Sequence, residues 1–456
     1  MLTVLRIQNL SSISKTKLSS DCTFRLTRAA LLSTFKKRVK SILKTELNAK
    51  NVLNAIGEYA VPVLTYTFGV INWTEQEIKD ADIHVRKQLN MFRMFEIRSD
   101  VDRLYVPRMM GGRGLMSIWD SFKSTLVRLA HYMNHADDKH IKACAVFDKN
   151  LLFSITKKAE KFAGAAEFEM PKDLANKPIL KQAKIIAKRF KEATSKDRYE
   201  KFVSKPQHGV HFRQMTEYDI DMKSSLKWLE KCHLSPQSES YICGMQELAI
   251  FTRWHEKNIL KTNTDDTCRV CKKETETTSH ILAGCDTLAK KEYLERHNRV
   301  ANYVHYEICK KYNIQTEKKW HLHCPAEVYM DNKVEILWDM ILTTDREVGA
   351  NRPDIVVRDK LNGKVYIIDI SCPSDTNVIK KENEKISKYS GLRVELGKMW
   401  KSECVVVPVV IGGLGCISPK FANYLRIIPA NISIEMCLKL TLIGSEKIMR
   451  SFLSRK

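Results

Sequence analysis

Residues 353–371 read PDIVVRDKLNGKVYIIDIS, and this stretch defines the architecture expected for the last third of the chain. Two runs rich in β-branched residues flank Asn362-Gly363, a dipeptide that favours the tight turn of a β-hairpin. The pattern therefore predicts two antiparallel strands. In such a hairpin Asp354 and Asp369 lie at the same end of the paired strands.

The two aspartates are a candidate metal site. Carboxylates at one end of a sheet can share a Mg²⁺ ion, which polarises a phosphate and activates a water molecule. Asp369 lies in an otherwise apolar strand, where an unpaired charge is costly to bury. A bound metal would explain its presence, so we predict that Asp354 and Asp369 bind magnesium.

A positive charge is expected near the phosphate or the attacking water, and the segment after the hairpin offers three lysines. The position two residues after Asp369 is Ser371, which cannot supply that charge. Lys381, Lys385 and Lys388 are spaced to share one face of a helix, and any of them can reach back. The alternative is an ordinary solvated helix whose lysines pair with neighbouring glutamates. Periodicity favours neither interpretation.

Four potential metal ligands lie close together upstream of the hairpin. Cys268, Cys271, His280 and Cys285 form the pattern C-x2-C-x8-H-x4-C, which suits a tetrahedral zinc site. The alternative is a chance grouping that includes buried thiols, but four ligands in so short a segment favour the metal. A closed set of protein ligands indicates a structural ion, so we expect a single zinc per chain, with basic loops facing nucleic acid.

The charge balance points to a polyanionic partner. The 456 residues include 76 Lys and Arg against 53 Asp and Glu, a formal net charge of +23. Side chains that neutralise phosphates release counterions, so nucleic acid is favoured over the alternative, a basic surface kept for solubility. The 13 scattered Cys favour a reducing compartment, and the sequence has neither a secretory signal nor a long apolar span. We expect the nucleus, with a cytoplasmic phase, and no membrane.

The first part of the chain has helical patterns. Residues 1 to about 25 are polar and are expected to be a loop or tail. An amphipathic helix with a basic outer face is predicted from Leu31 to Leu47. Pro62 should interrupt the next apolar stretch, and Thr74 can begin a further helix as part of a capping box.

Three further features have simple structural interpretations. The glycines of residues 107–114 favour a tight turn over a phosphate-binding loop. The lysine-rich residues 157–205 are either a solvated pair of helices or a surface that contacts nucleic acid. A lone histidine such as His297 is more often structural than catalytic.

Taken together, these motifs resemble the restriction-like (PD-D/E-x-K) endonuclease of the early-branching, often site-specific non-LTR (type-1) retrotransposons. In that family the lysine is displaced onto the next helix, which fits Ser371, and a CCHC cluster lies upstream. The matching segments are Arg352-Pro353-Asp354, Asp369, residues 384–389 (EKISKY) and Arg296-His297-Asn298. The resemblance implies a DNA endonuclease in which Asp354 and Asp369 bind Mg²⁺. It also implies that Lys385 and Lys388 contact the phosphate or the attacking water.

The first part of the chain is similar to the thumb and linker that follow the reverse transcriptase palm in the same family. The similar segments are residues 43–51 (LKTELNAKN), 62–66 (PVLTY), 100–105 (DVDRLY) and 111–115 (GGRGL). The aromatic-x-Asp-Asp motif of the polymerase palm does not occur in this sequence. The resemblance therefore implies that fingers and palm precede Met1, and that this chain alone synthesises no DNA.

The expected fold is multidomain and combines helical with α/β parts. Its segments are a mainly α-helical thumb-like region (1–150), a basic helical linker (151–240), a small CCHC zinc-knuckle region (241–325) and an α/β restriction-endonuclease-like domain (326–456). The resemblance implies binding of target DNA and element RNA, and a nick whose 3′-hydroxyl primes reverse transcription. The alternative is a catalytically inactive, nucleic-acid-binding remnant of a retrotransposon. Protein partners are not predicted.

Overall fold

The structure is a computed structural model that describes residues 20–455 apart from 152, 170, 172, 173, 175 and 263, with side chains from residue 25 onward. The described residues form helices and a five-stranded sheet. They divide into two compact units, the first made of residues up to 45, 54–88 and 116–194, and the second of residues 46–53, 89–115 and 195 onward. The division into four segments stays a prediction.

Helices account for most of the described secondary structure. Up to residue 204 they include Ser20–Leu43, Ala49–Ala55, Ile56–Ala60 (π), Pro62–Thr65, Glu75–Met91, Val101–Tyr105, Arg108–Met110 (3-10), Ile118–His135, Lys139–Asn150, Ile155–Ala165 and Ile179–Ser204. Further on they include Val210–Glu217, Met222–Ser225, Trp228–Lys231, Pro236–Gln246, Arg253–His255, Glu256–Leu260 (π), His280–Gly284 (π), Asp286–Leu288, Ala289–Tyr293 (π), Leu294–Lys311, Trp320–Leu322 (3-10), Asp375–Asn377 (3-10), Val378–Lys388, Ser390–Met399, Phe421–Ile427 and Ile434–Leu453.

The first described helix begins earlier than predicted. It starts at Ser20, so the expected loop to about residue 25 is wrong for its last residues. Ala29 and Ala30 are strong helix formers, which lets the helix continue N-terminally of the predicted start at Leu31. The rest of the expected loop, residues 1–19, lies outside the described residues.

The same helix also ends before the predicted boundary at Leu47. Its last residue is Leu43, because the amide and the hydroxyl of Thr45 both bond to the Ile42 carbonyl oxygen, at 3.1 and 2.6 Å, and close the final turn. Such local bonds compete with continuation of a helix. The predicted amphipathic character is confirmed, since Phe35 is buried and the lysines of the opposite face are exposed.

The helix interruption at Pro62 and the capping box at Thr74 are both confirmed. The segment Ile56–Ala60 is a π-helix that ends just before Pro62, whose ring nitrogen cannot donate to the preceding turn. Thr74 and Glu77 bond reciprocally: the Thr74 amide donates to the Glu77 carboxylate at 3.0 Å, and the Glu77 amide donates to the Thr74 hydroxyl at 3.2 Å.

Aromatic side chains form much of the core of the first unit. The rings of Phe68 and Phe122 meet edge to face at 5.1 Å between centroids, and Trp119 meets Phe162 at 5.4 Å in the same way. Such edge contacts add to the free energy gained by burial. The unit is therefore held by a compact apolar centre beneath a lysine-rich surface.

The glycine-rich segment is a turn, as predicted. Gly111 has φ +86°, a left-handed conformation that glycine adopts without strain. A Cβ at Gly112 would lie 2.0 Å from the Val106 carbonyl oxygen, so a side chain has no space there. The two glycines therefore allow the turn and the close backbone packing that follow the 3-10 helix Arg108–Met110.

The sheet confirms the two predicted strands of the hairpin and contains three others among the described residues. Its strands are β1 (Val328–Met330), β2 (Val334–Trp338), β3 (Ile355–Asp359), β4 (Lys364–Ser371) and β5 (Glu403–Val410), in that spatial order. Neighbours from β1 to β4 are antiparallel, and β5 is parallel to β4. The β3–β4 hairpin turns at Asn362-Gly363, where Gly363 has φ +61°. The predicted hairpin is thereby confirmed.

Both faces of the sheet are covered. On one face Val356 and Ile367 pack with Leu392 in a small core. On the other face Ile355 and Ile368 join a larger core shared with much of the second unit. The central strands are therefore apolar on both sides, which explains their unbroken runs of β-branched residues.

Two helices beside the sheet carry the side chains of the site described below. The lysine helix, Val378–Lys388, lies against β5. The histidine helix, Leu294–Lys311, lies against β4 and the C-terminal helix Ile434–Leu453. Within the described part of the chain, no helix has the length and apolar content needed to span a bilayer.

Candidate functional site

The four predicted zinc ligands converge in the structure. The sulfur and imidazole nitrogen atoms that Cys268, Cys271, His280 and Cys285 can offer all lie within 4.8 Å of one another. Cys271 Sγ lies 3.4 Å from His280 Nε2. Thiolates and a neutral imidazole at such separations suit a tetrahedral zinc ion. The cluster can therefore hold a metal such as zinc.

Buried polar contacts hold the backbone around this cluster, which we call the knuckle (residues 266–293). The Arg269 guanidinium bonds to both oxygens of the buried Glu276, at 2.7 and 3.0 Å. The Tyr293 hydroxyl accepts from the Cys285 amide at 3.0 Å and faces the Ile281 carbonyl oxygen at 2.9 Å. Arg269 is thus a structural residue. Lys272 and Lys273 are exposed and can face a polyanion, although Lys273 Nζ lies 3.8 Å from Asp286 Oδ2.

The two predicted magnesium ligands also come together. The hairpin pairs Ile355 with Ile368, so Asp354 and Asp369 stand opposite each other one step further along. Asp369 follows Ile367 on the face of the small core, whereas Asp354 lies just before the first residue of β3. Asp354 Oδ2 accepts a hydrogen bond from the Ile370 amide at 2.6 Å. The arrangement expected from the hairpin pattern is therefore present.

Asp369 is buried at this end of the sheet, with only 2% of its surface exposed. Its Oδ2 forms an ion pair with Lys385 of the lysine helix. Its Oδ1 lies 2.7 Å from the hydroxyl of Tyr389, which is also 3.0 Å from the Arg352 carbonyl oxygen. Burial and the negative charge of Asp369 raise the pKa of Tyr389, so this residue is a hydrogen-bond donor at neutral pH.

The three candidate lysines have different surroundings. Lys385 alone of the three pairs with a predicted metal ligand among the described contacts. Lys388 Nζ lies 2.9 Å from the Tyr389 hydroxyl, one hydrogen bond away from the carboxylate. Lys381 pairs with Glu384 at 2.8 Å, as the solvated-helix alternative expects. Lys385 therefore fits the interpretation of a lysine that reaches back to the carboxylates, whereas Lys381 fits the solvated-helix alternative.

His297 contacts this site, although sequence reasoning gave it no role there. Its Nε2 lies 3.0 Å from Asp354 Oδ2, and its Nδ1 lies 3.0 Å from the side chain of Asn298. Burial disfavours the charged imidazolium, but the hydrogen bond to Asp354 and that carboxylate's charge outweigh it, and they raise the pKa of His297 to about 9. His297 is therefore the positively charged partner of Asp354 in this contact.

Two arginines that sequence reasoning also missed fix the backbone beside the carboxylates. The buried Arg296 donates to the Ser445 hydroxyl and to the Cys372 carbonyl oxygen, both at 2.9 Å. Arg352 pairs with Asp339 at 2.9 Å and 3.0 Å. Both arginines belong to motifs named above, Arg352-Pro353-Asp354 and Arg296-His297-Asn298, but neither motif indicates which residues they contact.

A polar cavity of about 700 Å³ adjoins the end of β4. The knuckle contributes Ser279 and His280 to its lining, and the segment after β4 contributes Ser374 and Lys380. The hydroxyls of Ser279 and Ser374 lie 2.8 Å apart. Hydroxyls and ammonium groups of this kind suit a phosphate-bearing strand.

A second group of metal-type ligands lies on the histidine helix and was not predicted. His305, Cys309 and His323 offer ligand atoms that all lie within 4.8 Å of one another. The H-x3-C spacing of the first two was visible in the sequence. Its partner His323 follows after a turn, and three ligands make a weaker pattern than four.

No family model and no curated protein matches this chain. The two sites are therefore interpreted through the chemistry of their own residues.

Proposed function

We propose that the chain is the C-terminal part of a non-LTR retrotransposon protein and that its sheet end is a metal-dependent DNA endonuclease site. The observation that carries this proposal is the juxtaposition of Asp354 and the buried Asp369 with Lys385. Two carboxylates and a lysine at one end of a hairpin are the group that hydrolysis of a phosphodiester needs. The restriction-like fold of residues 326–456 is part of this proposal.

The residues present fit a magnesium ion. Asp354 and Asp369 supply carboxylate oxygens, the ligands that Mg²⁺ prefers in proteins. The Oδ2 atoms of both residues already make polar contacts, but each carboxylate oxygen can accept more than one partner. When bound, the ion would polarise the scissile phosphate and lower the pKa of a water molecule.

The surrounding side chains have roles that follow from their contacts. Lys385 pairs with Asp369 in the structure and would lie beside a phosphate bound at the carboxylates. Lys388 and Tyr389 position that carboxylate through their shared hydrogen bond. His297 orients Asp354 from the other side. Each of these side chains thus contacts a carboxylate oxygen of Asp354 or Asp369, either directly or, for Lys388, through the Tyr389 hydroxyl.

Affinity for DNA in this proposal comes from charge outside the carboxylate pair. The chain carries a formal net charge of +23, and exposed Lys272 and Lys273 are on the knuckle surface. Lys380 lines the cavity beside β4. Contacts of this kind position a duplex without reading its sequence.

The biological role in this proposal follows from the resemblance. The nick in target DNA would supply the 3′-hydroxyl that primes reverse transcription of the element RNA, in the nucleus. The polymerase step would need the aromatic-x-Asp-Asp motif of a palm, and this motif does not occur in residues 1–456. The knuckle and the basic helices of the first unit would each bind nucleic acid.

A plasmid-nicking assay tests the proposal. The wild-type chain is incubated with supercoiled plasmid in zinc-containing buffer, with Mg²⁺ added or omitted, so that the structural metal stays bound in both arms. We expect conversion to the open circle only with Mg²⁺. Binding of the plasmid with no nick at any Mg²⁺ concentration would instead favour the inactive remnant.

A further inference from the structure

The histidine helix ends next to a segment rich in potential ligands. His305 and Cys309 are one helical turn apart and therefore share a face. Both are buried, each with 2% of its surface exposed. His323 follows the short 3-10 helix Trp320–Leu322, which brings its ring against that of His305 at 5.0 Å between centroids. Two imidazoles and a thiol thus converge from two elements.

The separations of these atoms are close to those of a metal site. Zinc bonds of about 2.0 Å to nitrogen and about 2.3 Å to sulfur, at tetrahedral angles, place two nitrogens about 3.3 Å apart and a nitrogen and a sulfur about 3.5 Å apart. Cys309 Sγ lies 3.4 Å from His305 Nδ1, and that nitrogen lies 2.8 Å from His323 Nε2. The distance from the Cys309 sulfur to His305 Nδ1 already matches that of a zinc site. The two imidazole nitrogens would need to separate by about half an ångström.

We propose that His305, Cys309 and His323 bind a second zinc ion, in addition to the ion of the knuckle. One thiolate with two imidazoles is a borderline-soft ligand set, which suits zinc better than magnesium or calcium. Three protein ligands leave a fourth position for water. This site is independent of the proposed nuclease activity.

The second ion would connect the loop before β1 to the histidine helix. Without it, the contacts between the two include the stacked rings of His305 and His323, the hydrogen bond between them, and an edge contact of Tyr303 with Trp320. Ligand bonds formed only in the folded chain contribute directly to its stability. The histidine helix also carries His297 near its N-terminus. The second zinc ion would therefore hold the C-terminal part of the helix that contacts Asp354.

Metal analysis of the full-length chain tests this inference. The protein is purified under reducing conditions, saturated with zinc and dialysed, and zinc is counted per chain by elemental mass spectrometry. Cys309→Ser and His323→Gln remove one ligand each. Matched controls are Cys324→Ser and His321→Gln, which change exposed neighbours of His323. Cys271→Ser combined with Cys285→Ser removes the knuckle ion.

We expect two zinc ions in the wild type and in both controls, and one in Cys309→Ser, in His323→Gln and in the knuckle variant. Circular dichroism verifies that each variant is folded. Cobalt added to the knuckle variant should give a thiolate charge-transfer band that disappears when Cys309→Ser is added. One zinc in the wild type, or two in folded His323→Gln, would overturn the proposal.

Discussion

His297 Nε2 lies 3.0 Å from Asp354 Oδ2, joining residues that are 57 positions apart in the sequence. The contact connects the histidine helix to the end of the β3–β4 hairpin. It is an ion pair only while the imidazole is protonated, and the raised pKa of His297, about 9, keeps it protonated at neutral pH. The pair therefore couples the packing of the helix to the charge of a proposed metal ligand.

The first prediction concerns the pH dependence of stability. Because the folded pKa of His297 is raised from 6.5 to about 9, its contribution is fully present below about pH 6.5 and is lost as pH rises through about 9. It amounts to at most about 3 kcal/mol. His297→Gln should therefore destabilise the chain at pH 6 and make little difference near pH 10.

Thermal unfolding of both proteins across that pH range, in zinc-containing buffer without magnesium, measures this difference. His140→Gln is the matched control, since His140 is an exposed histidine of the first unit. A destabilisation by His297→Gln that stays constant from pH 6 to pH 10 would show that the ion pair contributes nothing.

The second prediction concerns Tyr389. Tyr389→Phe keeps the buried ring and removes the hydroxyl that faces Asp369 and Lys388. Loss of a hydrogen bond to a buried carboxylate should cost about 1–3 kcal/mol of stability. Nicking at saturating DNA should fall while the DNA concentration for half-maximal rate stays constant. A change confined to that concentration would assign Tyr389 to DNA binding.

The third prediction concerns the knuckle. Cys271→Ser with Cys285→Ser removes two of the four potential ligands, and ligand bonds formed only in the folded chain contribute directly to its stability. We expect one zinc fewer per chain and faster amide hydrogen exchange across residues 266–293. Cys144→Ser, at an exposed cysteine, is the control. Unchanged zinc content in the double variant would place the ligands elsewhere.

The fourth prediction concerns salt. If about six phosphates are contacted, affinity for duplex DNA should fall on the order of 10³-fold between about 50 and 200 mM salt. Lys272→Gln with Lys273→Gln should reduce the slope of log affinity against log salt by about two. Lys364→Gln, whose partner Glu403 lies 3.3 Å away at the far end of β4, should leave the slope unchanged. A wild-type affinity insensitive to salt would contradict the polyanion argument.

Local signals explain which features the sequence predicts. Asn362-Gly363 fixes the hairpin turn, and side-chain alternation then brings Asp354 opposite Asp369. The C-x2-C spacing of Cys268 and Cys271 predicts their convergence for the same reason, since a short loop leaves few other arrangements.

Features formed by distant segments were missed. His297 meets Asp354 only because the histidine helix packs against β4, and nothing near either residue encodes that packing. Tyr389 belonged to a quoted motif, but the direction of its hydroxyl depends on burial of its ring in the small core. The strands β1 and β2 are too short to give a clear alternation.

The most direct test of the account is nicking by Asp369→Asn and Asp354→Asn, compared with Asp345→Asn, an exposed aspartate of the same segment. All three changes remove one negative charge and almost no volume. DNA affinity should be nearly equal in all, because it depends on distant Lys and Arg. We expect that magnesium-dependent relaxation of supercoiled plasmid is abolished in the first two proteins and unchanged in the third. Wild-type nicking rates in Asp369→Asn and Asp354→Asn would contradict it.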